Sequence, residues 1–136
     1  MSERRRRPRF PLENLRIHLR VKRGLFSREW VAVKPFDFSR TGVGFKTDEL
    51  LTPGEHIVVS LRLELEFGDV LVEEADGIVR HSEKECSCFN YGVEFDLSSR
   101  RMKREEIQYS LSRMEVLLER YNDILLKMQG VSAPSA

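Results

Sequence analysis

The sequence predicts a mostly β domain that ends in one long α-helix, and two observations support this fold class. Several short segments alternate apolar and polar residues with a period of two, and turn signals separate them, as in half-buried antiparallel strands. The period then changes, and the chain from Arg100 to Gln129 contains no Gly or Pro. About six strands at such short intervals indicate a small barrel or sandwich, and the helix follows it.

Three strands are predicted in the first third of the chain. Leu15–Val21 alternates apolar residues with basic ones, so one face of this strand is expected to be buried. A second strand begins at Trp30–Val33. A turn over Ser39–Gly42 then leads to a third strand that begins at Val43.

The clearest strand follows the turn signal Pro53-Gly54. Apolar residues occupy every second position from Ile57 to Leu65, and Gly68-Asp69 then predicts another turn. This strand is expected to present one complete face to the core.

The remaining strands are less regular. Val70–His81 is interpreted as one long strand, or as two short ones interrupted near Asp76-Gly77. We interpret residues 82–90 as a polar hairpin loop and residues 91–95 as the last strand.

Four segments follow from this pattern. They are a flexible arginine-rich arm (1–12), a barrel (13–99), a C-terminal helix (100–129) and a disordered tail (130–136). Ser98 or Ser99 is the expected N-cap of the helix, because a serine hydroxyl can accept a hydrogen bond from a free backbone amide.

The helix carries an apolar stripe at heptad spacing. Its members are Ile107, Leu111, Met114, Leu118, Tyr121, Leu125 and Met128, with Leu117 and Ile124 on one flank. The stripe can pack on the barrel of its own chain, or it can pair with a second copy to form a homodimer. A wide stripe can also do both, with its near turns on the barrel and its far turns against a partner.

The charge distribution favours a small anionic ligand. The net charge is +1, but residues 1–46 carry 13 Lys and Arg against 4 Asp and Glu, whereas the remainder is acidic. A protein that coats nucleic acid is usually basic over a whole face, so no DNA binding is expected. No apolar run is long enough to span a membrane. The arginines are not followed by an apolar export signal, so a cytoplasmic location is expected.

The sequence favours a binding protein over an enzyme. It contains no Gly-rich phosphate loop, no paired metal-binding histidines and no nucleophile elbow. His18 and His56 are predicted at outward-facing strand positions, and His81 ends a strand, so none of them needs a special role. Cys86 and Cys88 are expected to be free thiols and not metal ligands, because a structural zinc site needs four ligands. No cofactor is expected.

Two segments carry the chemistry of ligand recognition. The first, "ERRRRPRF" at residues 3–10, offers arginine forks that match phosphate oxygens and the O6 and N7 acceptors of guanine. The second, "DFSRTGVGF" at residues 37–45, offers a carboxylate that complements the N1–H and N2 donors of guanine. Each segment alone is weak evidence for ligand binding, since Asp-x-Ser-x-x-Gly is also an ordinary turn. Together they suit a cyclic dinucleotide of guanine, which presents both phosphate and guanine.

These segments resemble the motifs of the PilZ family of bacterial cyclic di-GMP receptors. Arg5-x-x-x-Arg9 resembles the N-terminal motif, and Asp37-x-Ser39-x-x-Gly42 resembles the second motif. The continuation "GVGF", the Pro-Gly turn, and the "GIVRH" and "NYGVEF" strands are also similar to the family's framework. The resemblance implies a six-stranded antiparallel barrel with a C-terminal helix, and a ligand clamped between the arm and the barrel.

The resemblance also implies a role for each motif residue. Arg5 and Arg9 would hold guanine and phosphate, Asp37 would contact a guanine edge, and Ser39 and Gly42 would shape the pocket. From the residue type, Gly42 is expected to permit a positive φ or close approach of the ligand.

Five further arginines are weaker candidates. Arg4 resembles an arginine of the family members that bind two mutually intercalated ligands. General attraction is expected from Arg6, Arg7 and Arg40, and Arg80 is expected to line the barrel face; a solvated surface role is at least as compatible with these four.

The expected function is that of a stand-alone cyclic di-GMP adaptor. Ligand binding would order the arm and create a surface for a protein effector. One alternative is an interaction module of the same fold that binds no nucleotide and oligomerises through the helix. The other is a small nucleic-acid-binding barrel.

Overall fold

A computed structural model describes residues 12–128, apart from the side chains of residues 122, 125 and 126. Its six strands are β1 (Leu15–Lys22), β2 (Arg28–Ser39), β3 (Gly42–Thr47), β4 (His56–Leu63), β5 (Val70–Glu85) and β6 (Cys88–Phe95), and its helix is α1 (Glu105–Met128). All neighbouring strands are antiparallel, and they close into a barrel in the order β1-β2-β3-β6-β5-β4. The predicted six-stranded antiparallel barrel with a long C-terminal helix is therefore confirmed.

Alternating residues fill the barrel, as the sequence pattern predicted. In β1 the residues Leu15, Ile17 and Leu19 are buried, and Ile17 pairs with Leu61 of β4. The polar residues between them face outward because successive side chains of a strand point to opposite faces. The inner face of the barrel is therefore apolar, and its outer face is available for recognition.

The predicted loop at residues 82–90 was wrong. Strand β5 continues to Glu85 and β6 begins at Cys88, so only Cys86 and Ser87 form the turn. Cys86 takes a positive φ of 56°, as tight two-residue hairpin turns require. Both strands are polar here because this end of the hairpin projects from the core, and a strand without a buried face has no hydrophobic alternation.

The helix begins five residues later than predicted, at Glu105. Ser99 does cap a backbone amide, but it accepts from Met102 N at 3.1 Å within a preceding turn, and its hydroxyl donates to Asp76 Oδ2 at 2.9 Å. Met102 is fully buried. The chain therefore passes through an anchored turn before it becomes helical.

Helix α1 packs against β2 and β5. Leu111, Met114 and Leu118 of the predicted stripe are buried in the core, whereas Ile124 and Met128 are 54% and 77% exposed. The first half of the stripe therefore covers the barrel, as two of the three interpretations expected. The three buried residues cannot contact a second copy of the chain, which corrects their place in the predicted dimer seam; the side chain of Leu125 lies outside the described residues.

Candidate functional site

The second motif lies on the β2–β3 hairpin. Ser39 pairs with Gly42 and Asp37 pairs with Gly44, so the two polar residues follow each other along one edge of the hairpin. Val43 and Phe45 point into the core, which places their neighbours Gly42 and Gly44 on the outer face of the barrel. The hairpin therefore presents the carboxylate and the hydroxyl of the motif on the outside.

Ser39 also organises the turn. Its Oγ accepts a hydrogen bond from Thr41 N at 3.2 Å and lies 3.0 Å from the Thr41 hydroxyl. The Thr41 carbonyl in turn accepts from Phe95 N at 2.9 Å. A hydroxyl has one donor and two acceptor positions, so Ser39 can serve the turn and still bond to a ligand.

Of the two roles expected for Gly42, the positive φ was wrong, and the close approach of a ligand stays a prediction. Positive φ among the described glycines occurs at Gly24, Gly54 and Gly68. Gly42 is needed for close packing of the backbone, because a Cβ at this position would lie 2.5 Å from the carbonyl oxygen of Val93. The glycine therefore allows β3 to approach β6, and this approach sets the position of the turn.

Two of the weaker arginine candidates form ion pairs. Nε of Arg80 lies 2.8 Å from Oε1 of Glu94, and Nε of Arg40 lies 3.9 Å from Oε1 of Glu115 on α1. Glu94 pairs with Gly42, so Arg80 lies beside the motif on the outer face, whereas Arg40 lies at the tip of the hairpin. Exposed ion pairs contribute little to the free energy of folding, so a ligand phosphate can compete with Glu94 for Arg80.

The arm residues Arg4, Arg5, Arg6 and Arg9 lie outside the described residues. The first described residue, Leu12, packs against the core and accepts a hydrogen bond from Leu15 N at 3.1 Å. The β1–β2 ladder begins with the pair Ile17–Val33. The start of β1 therefore lies beside the half of β2 that leads to Asp37.

Two β-bulges flank this surface, and sequence reasoning missed both. The register shifts in β2 between Pro35 and Asp37, and in β5 between Val79 and His81. The sequence carries no clear signal for either bulge. The alternation of a regular strand places consecutive residues on opposite faces, and this pattern does not show where the register shifts.

The first bulge brings Phe36 onto the outer face, where its ring occupies the space outside Gly44. A Cβ on Gly44 would lie 2.6 Å from Phe36 Cε1. The second bulge places Arg80 beside Glu94 and His81 beside Gly92; a Cβ on Gly92 would lie 3.4 Å from His81 Cδ2. Sequence reasoning gave neither Phe36 nor His81 a role.

Hydrogen bonds lower the pKa of two acidic side chains near the hairpins. The pKa of Asp96 lies below its ordinary value because the Ser98 hydroxyl and amide donate to its carboxylate. The pKa of Glu85 is also lowered, by hydrogen bonds from Lys46 and Asn90. Both carboxylates are therefore held in the charged form.

The described part of the chain offers no obvious metal site. Between residues 12 and 128, no three His, Cys, Asp or Glu side chains lie close enough to hold an ion. Cys86 is exposed and Cys88 half-buried, and both are free thiols. Within the same residues, α1 is not apolar enough to serve as a transmembrane span.

A groove of about 480 Å³ lies elsewhere, next to the start of β4. It is lined by Arg20, Lys22, Arg23, Arg28 and His56, among others, and contains none of the predicted site residues. Arg23 is held there by Glu29 and Glu49 at 2.9 and 3.0 Å. We therefore assign the site from its chemistry and not from cavity size.

The fold is shared with two solved structures of YcgR from Escherichia coli. The crystal structure of YcgR in complex with c-di-GMP superposes with a TM-score of 0.58 at 16% identity, covering 90% of this chain and 50% of that one. The PilZ domain of YcgR with c-di-GMP gives a TM-score of 0.57 at 16% identity, covering 90% of this chain and 98% of that one. This chain therefore spans about half the length of the longer YcgR structure.

A comparison with curated proteins gave no match. The model of the PilZ domain, in contrast, matches residues 3–112, a span that includes both motifs and the whole barrel. The chain belongs to the PilZ domain family.

Proposed function

We propose that the protein is a cyclic di-GMP receptor that signals through a protein partner. The observation that carries the proposal is the outward-facing hairpin of a PilZ domain, on which Asp37, Ser39 and Gly42 keep the spacing of the second motif. The solved PilZ domain of YcgR, which has the same fold, contains c-di-GMP. The role is that of a binding protein and involves no catalysis.

Each motif residue has a distinct task in this proposal. The Asp37 carboxylate accepts hydrogen bonds from the N1–H and N2 donors of a guanine. Arg5 and Arg9 hold the phosphates and the O6 and N7 acceptors of guanine, which a planar guanidinium can bind through two parallel bonds. Ser39 adds a hydroxyl contact, while Gly42 keeps the turn close to β6.

Binding also fixes the arginine arm against the barrel. The ligand neutralises Arg5 and Arg9, whose charges otherwise repel each other, and a new surface forms from the arm and the ligand. The β1–β2 ladder supports this step, because the start of β1 lies beside the half of β2 that leads to Asp37. We propose that the effector protein recognises this combined surface.

The weaker arginine candidates have secondary roles. Arg4 adds a cation and a stacking plane for a second, intercalated ligand, and Arg6 adds general attraction. Arg80 exchanges its ion pair with Glu94 for a phosphate contact. Arg40 is directed at α1 through Glu115 and so contributes to the position of the turn more than to the ligand.

The proposal is tested by calorimetric titration of the full chain with cyclic di-GMP, GTP and a short single-stranded oligonucleotide. Tight binding of cyclic di-GMP alone supports it, and two ligands per chain would support the role of Arg4. Absence of binding at tens of micromolar would favour the alternative of an interaction module without a nucleotide. Preferential binding of the oligonucleotide would favour a nucleic-acid-binding barrel.

A matched pair of arm variants separates specific contacts from diffuse charge. Arg9→Ala is expected to weaken binding by about 1–3 kcal/mol, the usual range for a charge-assisted hydrogen bond. Arg7→Ala removes the same charge outside the motif and is expected to have a smaller effect. Equal losses would mean that the arm acts as a general basic segment.

A homodimer through the far half of α1 is a second candidate interaction. Its support is the exposure of Ile124 and Met128, two large apolar side chains on the turns beyond Leu118. Ile124→Glu is expected to lower the oligomeric mass measured by light scattering, whereas Asp123→Lys is not. A monomeric unaltered chain would remove this candidate without affecting the receptor proposal.

A further inference from the structure

One row of residues crosses four adjacent strands on the outer face of the barrel. Asp37 of β2 pairs with Gly44 of β3, Gly44 pairs with Gly92 of β6, and Gly92 pairs with His81 of β5. The two middle positions have no side chain. Neighbouring strands lie about 4.8 Å apart, so the row has a gap without side chains of its own between the carboxylate and the imidazole.

The two bulges place rings over this gap. The Phe36 ring lies where a side chain on Gly44 would be, within 2.6–3.3 Å of the Cβ position, and Gly44 is buried in consequence. The His81 ring lies in ordinary contact distance of the Cβ position of Gly92, at 3.4–3.8 Å, and His81 is exposed. Bulges frequently re-aim side chains beside functional sites. The two bulges thus place two rings on the outer face, one on each side of the glycine pair.

We propose that Phe36 and His81 form a stacking subsite for a guanine base. This inference rests on the proposed function and extends it, because neither residue belongs to the two motifs. A base that stacks on these rings has its edge beside Asp37, which then accepts from the N1–H and N2 donors. Stacking supplies contact area, and the carboxylate selects guanine.

The carboxylate of Asp37 favours the donor edge of a base over a phosphate at this position. Arg80 is paired with Glu94 at 2.8 Å, and Lys46 is paired with Glu85 at 2.8 Å. Lys34 of β2, which pairs with Lys46, is exposed beside the row, and the row itself contributes the carboxylate of Asp37. A π-face with donors on its edge suits this carboxylate, whereas a phosphate suits the arginine arm and the cations around the row.

Three variants test the subsite by titration with cyclic di-GMP. Phe36→Leu keeps apolar bulk but removes the aromatic face, and His81→Ala removes the imidazole. Each is expected to weaken binding roughly tenfold, a typical effect of losing one base–aromatic stack. His18→Ala is the matched control, because His18 lies on β1, which is opposite β6 in the closed barrel.

A fourth variant displaces a ring without removing it. Gly44→Ala adds a Cβ that collides with the Phe36 ring, whose far edge can move aside. It is expected to weaken binding in the same direction as Phe36→Leu while the melting midpoint changes little. If it melts far below the unaltered chain, the first three variants remain the test.

Nuclear magnetic resonance gives a readout that a purely structural role would not produce. Ring protons of Phe36 and His81 are expected to shift upfield on addition of cyclic di-GMP, because a stacked base exerts a ring current. Tight binding by the unaltered chain, with Phe36→Leu and His81→Ala within twofold of it, would overturn the subsite alone. No binding by the unaltered chain would overturn the proposed function, and the subsite with it.

Discussion

The backbone amide of Arg40 donates a hydrogen bond to Oε2 of Glu115 at 3.1 Å, which ties the β2–β3 turn to helix α1. The turn stands between Ser39 and Gly42, the last two residues of the second motif. A change in this turn therefore reaches the helix directly through Glu115. The far half of the same helix carries exposed apolar residues, so the bond joins the proposed ligand site to a candidate interaction surface.

Removal of this bond is expected to loosen the helix. Glu115→Ala leaves the Arg40 amide without its partner and should lower the free energy of unfolding by about 1 kcal/mol. Arg40→Ala removes the ion pair at 3.9 Å but keeps the amide bond, so its effect should be smaller. Urea denaturation of both variants measures the difference. Equal effects would show that the ion pair, and not the amide bond, joins turn and helix.

Gly42 is expected to tolerate no side chain. Gly42→Ala places a Cβ 2.5 Å from a backbone oxygen of Val93, and backbone cannot move aside as a side chain can. We expect a loss of about 1–3 kcal/mol in the free energy of unfolding, the usual cost of overpacking. Gly92→Ala is the control, since its nearest contact is 3.4 Å from a side chain. Thermal denaturation of the two variants measures the difference. A melting midpoint of Gly42→Ala equal to that of Gly92→Ala would contradict the close-packing role of Gly42.

Tyr91 connects β6 to the segment after β3. Its hydroxyl donates to the Glu49 carbonyl at 2.8 Å and accepts from Leu51 N at 2.9 Å, and the residue is buried. Tyr91→Phe leaves both backbone groups without this partner, so the free energy of unfolding should fall by about 1–3 kcal/mol. Chemical denaturation measures this change in the free energy of unfolding. A Tyr91→Phe protein as stable as the unaltered one would mean that water replaces both bonds.

The Lys46–Glu85 pair predicts a pH dependence with two limits. The pKa of Glu85 is lowered from its ordinary value of 4.5, so its stabilising contribution is present above that value and is lost as pH falls through the folded-state pKa. The pKa of Lys46 is raised from 10.5, so its contribution is present below that value and is lost as pH rises through the folded-state pKa. The pair therefore stabilises the fold between these limits.

A double-mutant cycle of Lys46→Gln and Glu85→Gln measures this coupling. The coupling should be favourable at about pH 7 and should disappear as pH falls through the lowered folded-state pKa of Glu85, where this carboxylate gains a proton. The same cycle on Arg62 and Asp69, a looser exposed pair at 3.7 Å, is a suitable comparison. An unchanged coupling at low pH would contradict an electrostatic origin.

Hydrophobic alternation predicted the barrel well wherever one face of a strand is buried. It predicted β1 and β4 closely, because Leu15 to Leu19 and Ile57 to Leu63 each bury every second residue. It failed in the β5–β6 hairpin, where exposed polar residues occupy both faces. Gly77 was read as a possible interruption of β5, but it lies inside the strand and makes room for Val93, whose Cγ1 lies 2.6 Å from the Cβ position.

The candidate site was predictable in its motif residues and not in its surroundings. Asp37, Ser39 and Gly42 stand out by type and spacing, and the structure brings them to one hairpin. The bulges that carry Phe36 and His81 depend on the register between strands distant in sequence, so local patterns do not reveal them. The reason for glycine at position 42 likewise depends on a contact with β6.

The most direct test of the central claim is the dissociation constant for cyclic di-GMP of the full chain and of Asp37→Ala. Asp48→Ala is the control, because it removes an exposed carboxylate just after β3, away from the hairpin turn. The receptor proposal predicts tight binding by the unaltered chain and by Asp48→Ala, and binding weaker by about 1–3 kcal/mol in Asp37→Ala. Equal affinity of all three proteins, or no binding by any of them, would contradict it.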